Sequence, residues 1–253
     1  MEAQLQYGNW IRKKNLLLLG LFTLVIGGFA LIPVGFLYNL VMALLFLLAL
    51  ITFLFPLYSY VMFSQRGGRY QEKVYNLIIQ QLGTPIKGRI LDIGSGNGVL
   101  AVKLAQQFDE AEVTGVDYWG EYSKQICEKN AQIGGVAERV HFQKGDVAAL
   151  EFPDDTFDAV TSNLTFHEVQ SVADKREVVR EALRVVKPGG RFAFVDYFYD
   201  KKFYGNPSAF LDYLKGLGLA HVECRPLRDM IAVPVILRHP KILGKAGIIY
   251  GRK

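Results

Sequence analysis

Three alternating glycines, Gly94, Gly96 and Gly98, follow an aspartate, Asp92, at the end of the apolar run Ile90, Leu91 and Ile93. Such a run reads as a buried parallel strand. Glycine permits φ > 0 and lets another molecule approach the backbone closely. A helix is predicted from Val99 to about Phe108, and its first N–H groups would face whatever sits on the turn. The chemistry indicated is the holding of a small polar ligand at the carboxyl end of a parallel strand. Spacing narrows the ligand. A dinucleotide fingerprint counted from Gly94 needs its third small residue at position 99, which is Val99. A P-loop is excluded, because no Gly-Lys-Ser/Thr follows.

The next chemistry-bearing residues also come at strand ends. Residues 112–117 predict a second strand that ends in Asp117, 25 positions after Asp92. In dinucleotide folds an acid about 20 residues on takes ribose hydroxyls. Residues 140–146 predict a third strand ending in Gly145-Asp146, and residues 157–163 a fourth ending in Asn163. Taken singly, Asp117 and Asp146 also read as turn or helix-capping acids. Their placement after successive apolar strands favours the ligand role. A helix over 174–186, a turn at Lys187-Pro188-Gly189-Gly190 and a fifth strand over 191–196 complete the order. His167 follows the fourth strand by a few residues. Its unperturbed pKa of about 6.5 suits a general base. Glu168 beside it would orient it or be the base itself; the plainer reading is that His167 caps or packs at a helix start. Asp196, Tyr197 and Tyr199 follow the fifth strand and would line an acceptor pocket or simply form a loop.

The pattern D-x-G-x-G-x-G from Asp92 to Gly98 resembles motif I of class I S-adenosylmethionine-dependent methyltransferases. The run EALRVVKPGGRFAFVD, ending at Asp196, closely resembles their type 11, ubiquinone/menaquinone-methylase-like branch. The resemblance covers roughly residues 70–253 and excludes the N-terminus. It implies an α/β fold: a Rossmann-like, seven-stranded, mostly parallel sheet with helices on both faces. The last strand pair would come from about 221–226 and 246–250. The implied cofactor is S-adenosyl-L-methionine. By resemblance, the backbone of Gly94, Ser95 and Gly96 would hold its methionine part, and Asp92 would order the loop and help meet the ammonium group. Asp117 would accept the ribose hydroxyls, with Tyr118 beside the adenine. Asp146 would accept the adenine amino group, with the backbone of Val147 alongside. Asn163 would face the methionine end and the acceptor.

The N-terminus carries a separate signal. Residues 15–65 contain no charged side chain, and a spanning helix needs about 20 apolar residues. Two spans are predicted, about 16–34 and 37–62, with a turn at Pro33, Gly35 and Asn39. Arg12, Lys13 and Lys14 precede the first; Arg66, Arg69 and Lys73 follow the second. The positive-inside rule places both ends in the cytoplasm. A signal peptide is the alternative for the first span, disfavoured because a second long apolar run follows at once. The expected organisation is therefore a membrane anchor over 1–65 and a catalytic domain over 66–253, the latter able to fold without the former.

The remaining composition sets bounds on partners. Two cysteines, Cys127 and Cys224, offer no metal or redox spacing, and no metal site is expected. The net charge is +5, and between Arg225 and Lys253 seven Lys/Arg face one acid, Asp229. Met230, Ile231, Val233, Val235, Ile236 and Leu237 are interleaved with them. This mixture suits either an anionic membrane surface or a solvated sheet edge. Nucleic acid is not expected as a partner of an anchored protein. The oligomeric state is not encoded in any motif. The function indicated is methyl transfer to a hydrophobic small-molecule or lipid-like acceptor. A membrane-protein acceptor, or a non-catalytic cofactor-binding scaffold, are the competing readings.

Overall fold

The computed structural model describes residues 4–83, 85–120 and 122–253. These described residues divide into two compact units, one formed by residues 8–72 and the other by residues 4–7 together with those from 73 to 253.

The first unit is a helical hairpin. α1 spans Lys13–Ala30 and α2 spans Phe36–Phe63. Both begin and end within a few residues of the predicted spans. Their surfaces meet closely where α1 lacks side chains: a Cβ at Gly20 would press on the Phe53 ring, and one at Gly27 on the Phe46 ring. Thr23 Oγ1 donates to Leu19 C=O at 2.8 Å and reaches Ala49 C=O at 3.3 Å. The turn is closed by Asn39, whose amide donates to Ile32 C=O at 2.9 Å and accepts from Gly35 N–H at 3.2 Å. Side chains such as Leu24 and Phe36 point away from the partner helix and stay exposed.

The second unit is built on one seven-stranded sheet. Its strands are β1 Gly88–Ile93, β2 Ala111–Asp117, β3 Val140–Lys144, β4 Phe157–Asn163, β5 Val186–Asp196, β6 His221–Pro226 and β7 Gly247–Arg252. The order is β3-β2-β1-β4-β5-β7-β6. The first five strands are parallel, and β7 runs antiparallel to both neighbours. The chain winds outward from β1 to β2 and β3, then restarts on the other side with β4. The gap between the carboxyl ends of β1 and β4 is thus the topological switch point, where such sheets bind ligands.

Helices cover the sheet as the pleat requires. Successive side chains of β1 alternate between faces. Leu91 and Ile93 enter a core that includes Val178, Val179, Ala182 and Leu183 of α6, Lys175–Arg184. α4, Val99–Gln107, packs against β1 and β2, and α5, Lys124–Ile133, against β3. α3, Tyr70–Leu82, contributes Val74, Leu77, Ile78 and Leu82 to the interior. α6 is shorter than predicted at both ends: Asp174 is its cap, accepting from Arg176 N–H at 3.0 Å, and Val186 already begins β5. The Lys-Pro-Gly-Gly turn lies within β5 as an irregularity, with the register jumping from Phe157↔Val186 to Ala159↔Arg191.

A short N-terminal arm belongs to the sheet-containing unit. Gln6 N–H donates to Asn130 Oδ1 at 2.8 Å, and Asn130 Nδ2 returns a bond to Gln6 C=O at 3.1 Å. Tyr7 stacks on Tyr75 with ring centroids 6.1 Å apart. Periodicity gives no hint of this arm, because its hydrogen bonds are made by Gln6 backbone atoms, which carry no sequence signal, and a single aromatic ring, Tyr7, makes no pattern.

Candidate active site

The glycine loop leaves β1 at the switch point. Gly94, Gly96 and Gly98 all have positive φ, at 73°, 55° and 74°. Two of them also lack room for a side chain: a Cβ on Gly94 would collide with Thr165, and one on Gly98 with Phe142 and Cys127. Gly96 differs. The nearest atoms to a Cβ there belong to the Tyr122 ring at 3.8 Å. Its backbone therefore has space on the side where a ligand would approach. Gly98 N–H donates to Ser95 C=O at 2.7 Å, and Gly98 caps α4.

Carboxylates and amides converge on this loop. Asp117 Oδ2 accepts from Gly96 N–H at 2.8 Å, and Oδ1 accepts from Trp119 N–H at 2.7 Å. Trp119 was not singled out in the sequence, yet its ring N–H donates to Gly96 C=O at 3.1 Å. It holds a left-handed conformation, φ 49°, as does Leu164, φ 52°, just after β4. Asn130, fully buried, donates to Asn97 C=O at 2.8 Å, and Asn97 Nδ2 reaches Gln6 C=O at 3.2 Å. The loop is thus held from β2, from α5 and from the N-terminal arm.

Asp92 is the unusual charge. It is buried, and Thr161 Oγ1 donates to its Oδ1 at 3.0 Å. Its Oδ2 is enclosed with no hydrogen-bond partner among the described residues, and the same holds for Asn163 Oδ1. Burial raises the Asp92 carboxyl to about 7, against the hydrogen bonds from Thr161 and Ser95. Two acceptor oxygens without donors, either side of the switch point, fit a cationic ligand group with N–H donors. The ammonium of S-adenosylmethionine is such a group.

The other predicted contacts are placed as follows. Tyr118 is exposed just after β2, with Lys144 Nζ 4.6 Å from its ring centre. Asp146 is exposed after β3 and accepts from Ala148 N–H at 2.9 Å through Oδ1, while Val147 is buried. Ser95 is buried, its Oγ donating to Asp92 C=O at 3.0 Å.

A second cluster forms where β4 and β5 end. His167 Nδ1 lies 2.8 Å from Asp196 Oδ1, and His167 N–H donates to Asp196 Oδ2 at 3.1 Å. Asp196 is fully buried and also accepts from Tyr197 N–H at 2.6 Å. A carboxylate only accepts, so Nδ1 carries the proton and Nε2 of the neutral ring is left as the basic atom. The acid bonded to the ring is Asp196, while Glu168, expected to orient His167 or to be the base itself, is exposed. Burial acts to lower the His167 pKa, but the Asp196 hydrogen bond and charge outweigh it and the net shift is upward. Tyr197 packs edge-on against the imidazole at 4.6 Å, and Phe203 at 5.6 Å. Sequence alone missed the Asp196 role because the pair is 29 residues apart and meets only through the β4–β5 register.

Neither cysteine joins these clusters as a reactive group. Burial pushes the Cys127 thiol up to about 12 and that of Cys224 to about 11. No grouping of three or more His, Cys, Asp or Glu suits a metal ion among the described residues.

Comparison with known proteins agrees with this geometry. Residues 91–194 match the family described as "Methyltransferase domain". The chain is 36% identical over 143 residues to an uncharacterized methyltransferase, YcgJ, from Bacillus subtilis, covering 54% of each. It is 31% identical over 146 residues to the ubiquinone/menaquinone biosynthesis C-methyltransferase UbiE of Desulfotalea psychrophila, covering 53% of this chain and 56% of that protein. The chain thus spans about half the length of these relatives. The solved structure of YcgJ superposes with a TM-score of 0.51 at 24% identity, covering 72% of this chain and 98% of the other, a likeness of fold. The sheet order, the glycine loop and the matched segment together make residues 91–194 similar to the methyltransferase domains of S-adenosylmethionine-dependent enzymes.

Proposed function

We propose that the chain is a membrane-anchored methyltransferase that transfers the methyl group of S-adenosylmethionine to a hydrophobic small-molecule or lipid-like acceptor, with its catalytic unit in the cytoplasm. The carrying observation is the pairing of two clusters at one end of the sheet. A loop built for a cationic ligand lies beside a buried-acid–histidine pair framed by aromatic rings. The cofactor, when bound, supplies a methyl group made electrophilic by its sulfonium. The protein then needs to align the acceptor and exclude water, and proximity and orientation provide most of the acceleration. Asp92 and Asn163 receive the amino-acid end, and Gly94, Ser95 and Gly96 present backbone to it. Asp117 takes the ribose hydroxyls, with Tyr118, Asp146 and Val147 around the adenine. His167, held by Asp196, removes the acceptor proton through Nε2 where the nucleophile carries one.

The hydrophobic acceptor is supported by Tyr197 and Phe203 around His167. It is supported as well by similarity to a protein named for ubiquinone/menaquinone biosynthesis. The anchor is supported by α1 and α2, two helices long and apolar enough to span a bilayer. In their most apolar windows only 11% and 6% of residues are buried, which is not the pattern of core helices.

Purified protein in detergent, incubated with methyl-labelled cofactor and a total lipid extract, should transfer label to a lipid-soluble product. Label found only in protein would replace the acceptor class, and tighter calorimetric binding of NAD than of S-adenosylhomocysteine would overturn the cofactor assignment.

A further inference from the structure

The segment between β6 and β7 carries a surface that the cofactor site does not use. Pro226 pairs with Gly247, and Gly247 pairs with Asp196. Residues 227–246 therefore leave the sheet at the end where β1, β4 and β5 finish, on the Asp196 side. Hydrogen bonds fasten them there. Tyr199 N–H donates to Lys245 C=O at 3.1 Å, Leu227 N–H donates to Ala246 C=O at 2.9 Å, and Lys245 Nζ lies 3.0 Å from Asp200 Oδ2.

The segment has two sides. Val233, Leu237, Ile242 and Leu243 are buried beneath it. Val235 and Ile236 project outward, 78% and 45% exposed, on a short helical turn that follows Pro234. The other exposed large hydrophobic side chains described in this unit are Tyr118 and Tyr122, which follow β2 at the cofactor loop. Exposed Arg228, Arg238 and Lys241 lie in the same segment, and Asp229 is the one acid between residues 228 and 245. The turn is stiff. Pro234 fixes the backbone at its start, and Arg238 Nε donates back to Val233 C=O at 2.8 Å.

We propose that residues 232–241 form a membrane-contact turn for an anionic lipid surface. Val235 and Ile236 enter the headgroup boundary, and Arg238 and Lys241 meet lipid phosphates. An apolar tip ringed by cations is the pattern that binds such interfaces. The contact holds the His167–Asp196 end of the sheet against the surface from which a hydrophobic acceptor is drawn. That purpose, though not the contact, rests on the acceptor reading above.

The full chain reconstituted in nanodiscs provides the test. Amide hydrogen exchange over residues 232–241 is compared in discs of phosphatidylcholine alone and discs with phosphatidylglycerol added. Exchange should slow several-fold in the anionic discs, with no change over the loop at residues 108–110. The exposed pair Val235→Ser and Ile236→Ser should abolish the difference, and so should Lys241→Gln combined with Arg238→Gln. Equal exchange in both lipids overturns the proposal, as does protection that survives the serine pair or is lost only when a protein partner is removed. The readout needs neither cofactor nor acceptor. Its failure is therefore distinct from a failure of methyl transfer.

Discussion

At Asp92, the burial that disfavours an ionised carboxylate also prepares it for a cation. With its pKa raised to about 7, the folded state holds the proton more tightly than the unfolded chain does. Stability then falls as pH rises from the ordinary carboxyl range through about 7, because the buried group ionises without a partner for Oδ2. Asp92→Asn keeps the acceptor for Thr161 and removes that cost. It should raise Tm at pH 8, with the gain vanishing near pH 4, while cofactor affinity drops at least tenfold; calorimetry at both pH values checks it. A cationic ligand favours the charged form, so wild-type affinity should itself weaken as pH falls below about 7. His167 gives a second residue-scale test. His167→Ala should lower kcat by roughly 10²–10⁴-fold, the usual range for a lost general base, and leave cofactor affinity nearly unchanged. Since its folded pKa is raised, the acidic limb of the pH–rate profile should lie above about 6.5, and Asp196→Asn should move that limb downward. A role confined to packing would instead lower activity in step with Tm and leave the limb in place. The strand-end positions of Asp92, Asp117 and Asn163 were legible in the sequence because each closes an apolar run. Asp196 was legible only as a lining residue, since its bond to His167 depends on strand register.

The glycine loop works as an element because three other elements hold it. β2 contributes Asp117, α5 contributes Asn130, and the N-terminal arm contributes Gln6. The arm is recognised through its backbone while the Gln6 side chain is exposed. Gln6→Pro removes one N–H donor and should weaken S-adenosylhomocysteine binding about 2- to 10-fold, corresponding to about 0.5–1.5 kcal/mol for one hydrogen bond. Gln6→Ala keeps the donor and should bind like wild type; equal loss in both, by calorimetry, would assign the effect to the side chain. A chain starting at residue 66 lacks the arm, so it should show the same weakening or more. The first five strands were legible from apolar runs ending near Asp, Asn or Gly, the last pair and the seven-stranded sheet came only from the family resemblance, and the boundaries moved by a few residues at caps such as Asp174. The arm was not legible, because four residues ahead of a charged cluster carry neither periodicity nor a turn signal. The Lys-Pro-Gly-Gly stretch was legible as a break, but not as an irregularity carried inside a paired strand.

For the whole molecule, the proposed anchor implies an orientation through where the charges lie relative to the two apolar helices. Arg12, Lys13 and Lys14 lie at the start of α1, and Arg66, Arg69 and Lys73 follow the end of α2, whereas residues 31–35 between the helices carry none. Under the proposed anchor, the cationic flanks would stay on the cytoplasmic side during insertion and the turn would be the part that crosses. A cysteine placed at Val34, which is exposed in that turn, should react with an impermeant thiol reagent added to intact cells. One placed at Lys87, exposed ahead of β1, should react only after the membrane is opened. The native background is low, since Cys127 is buried and both thiols are raised to about 11 or higher, leaving little thiolate at neutral pH. The reverse labelling pattern would place the catalytic unit outside, away from the compartment in which the cofactor reading puts it. Labelling of both sites in intact cells would mean that the helices do not span at all, and the hairpin would then have to be read as a surface-lying or partner-covered element.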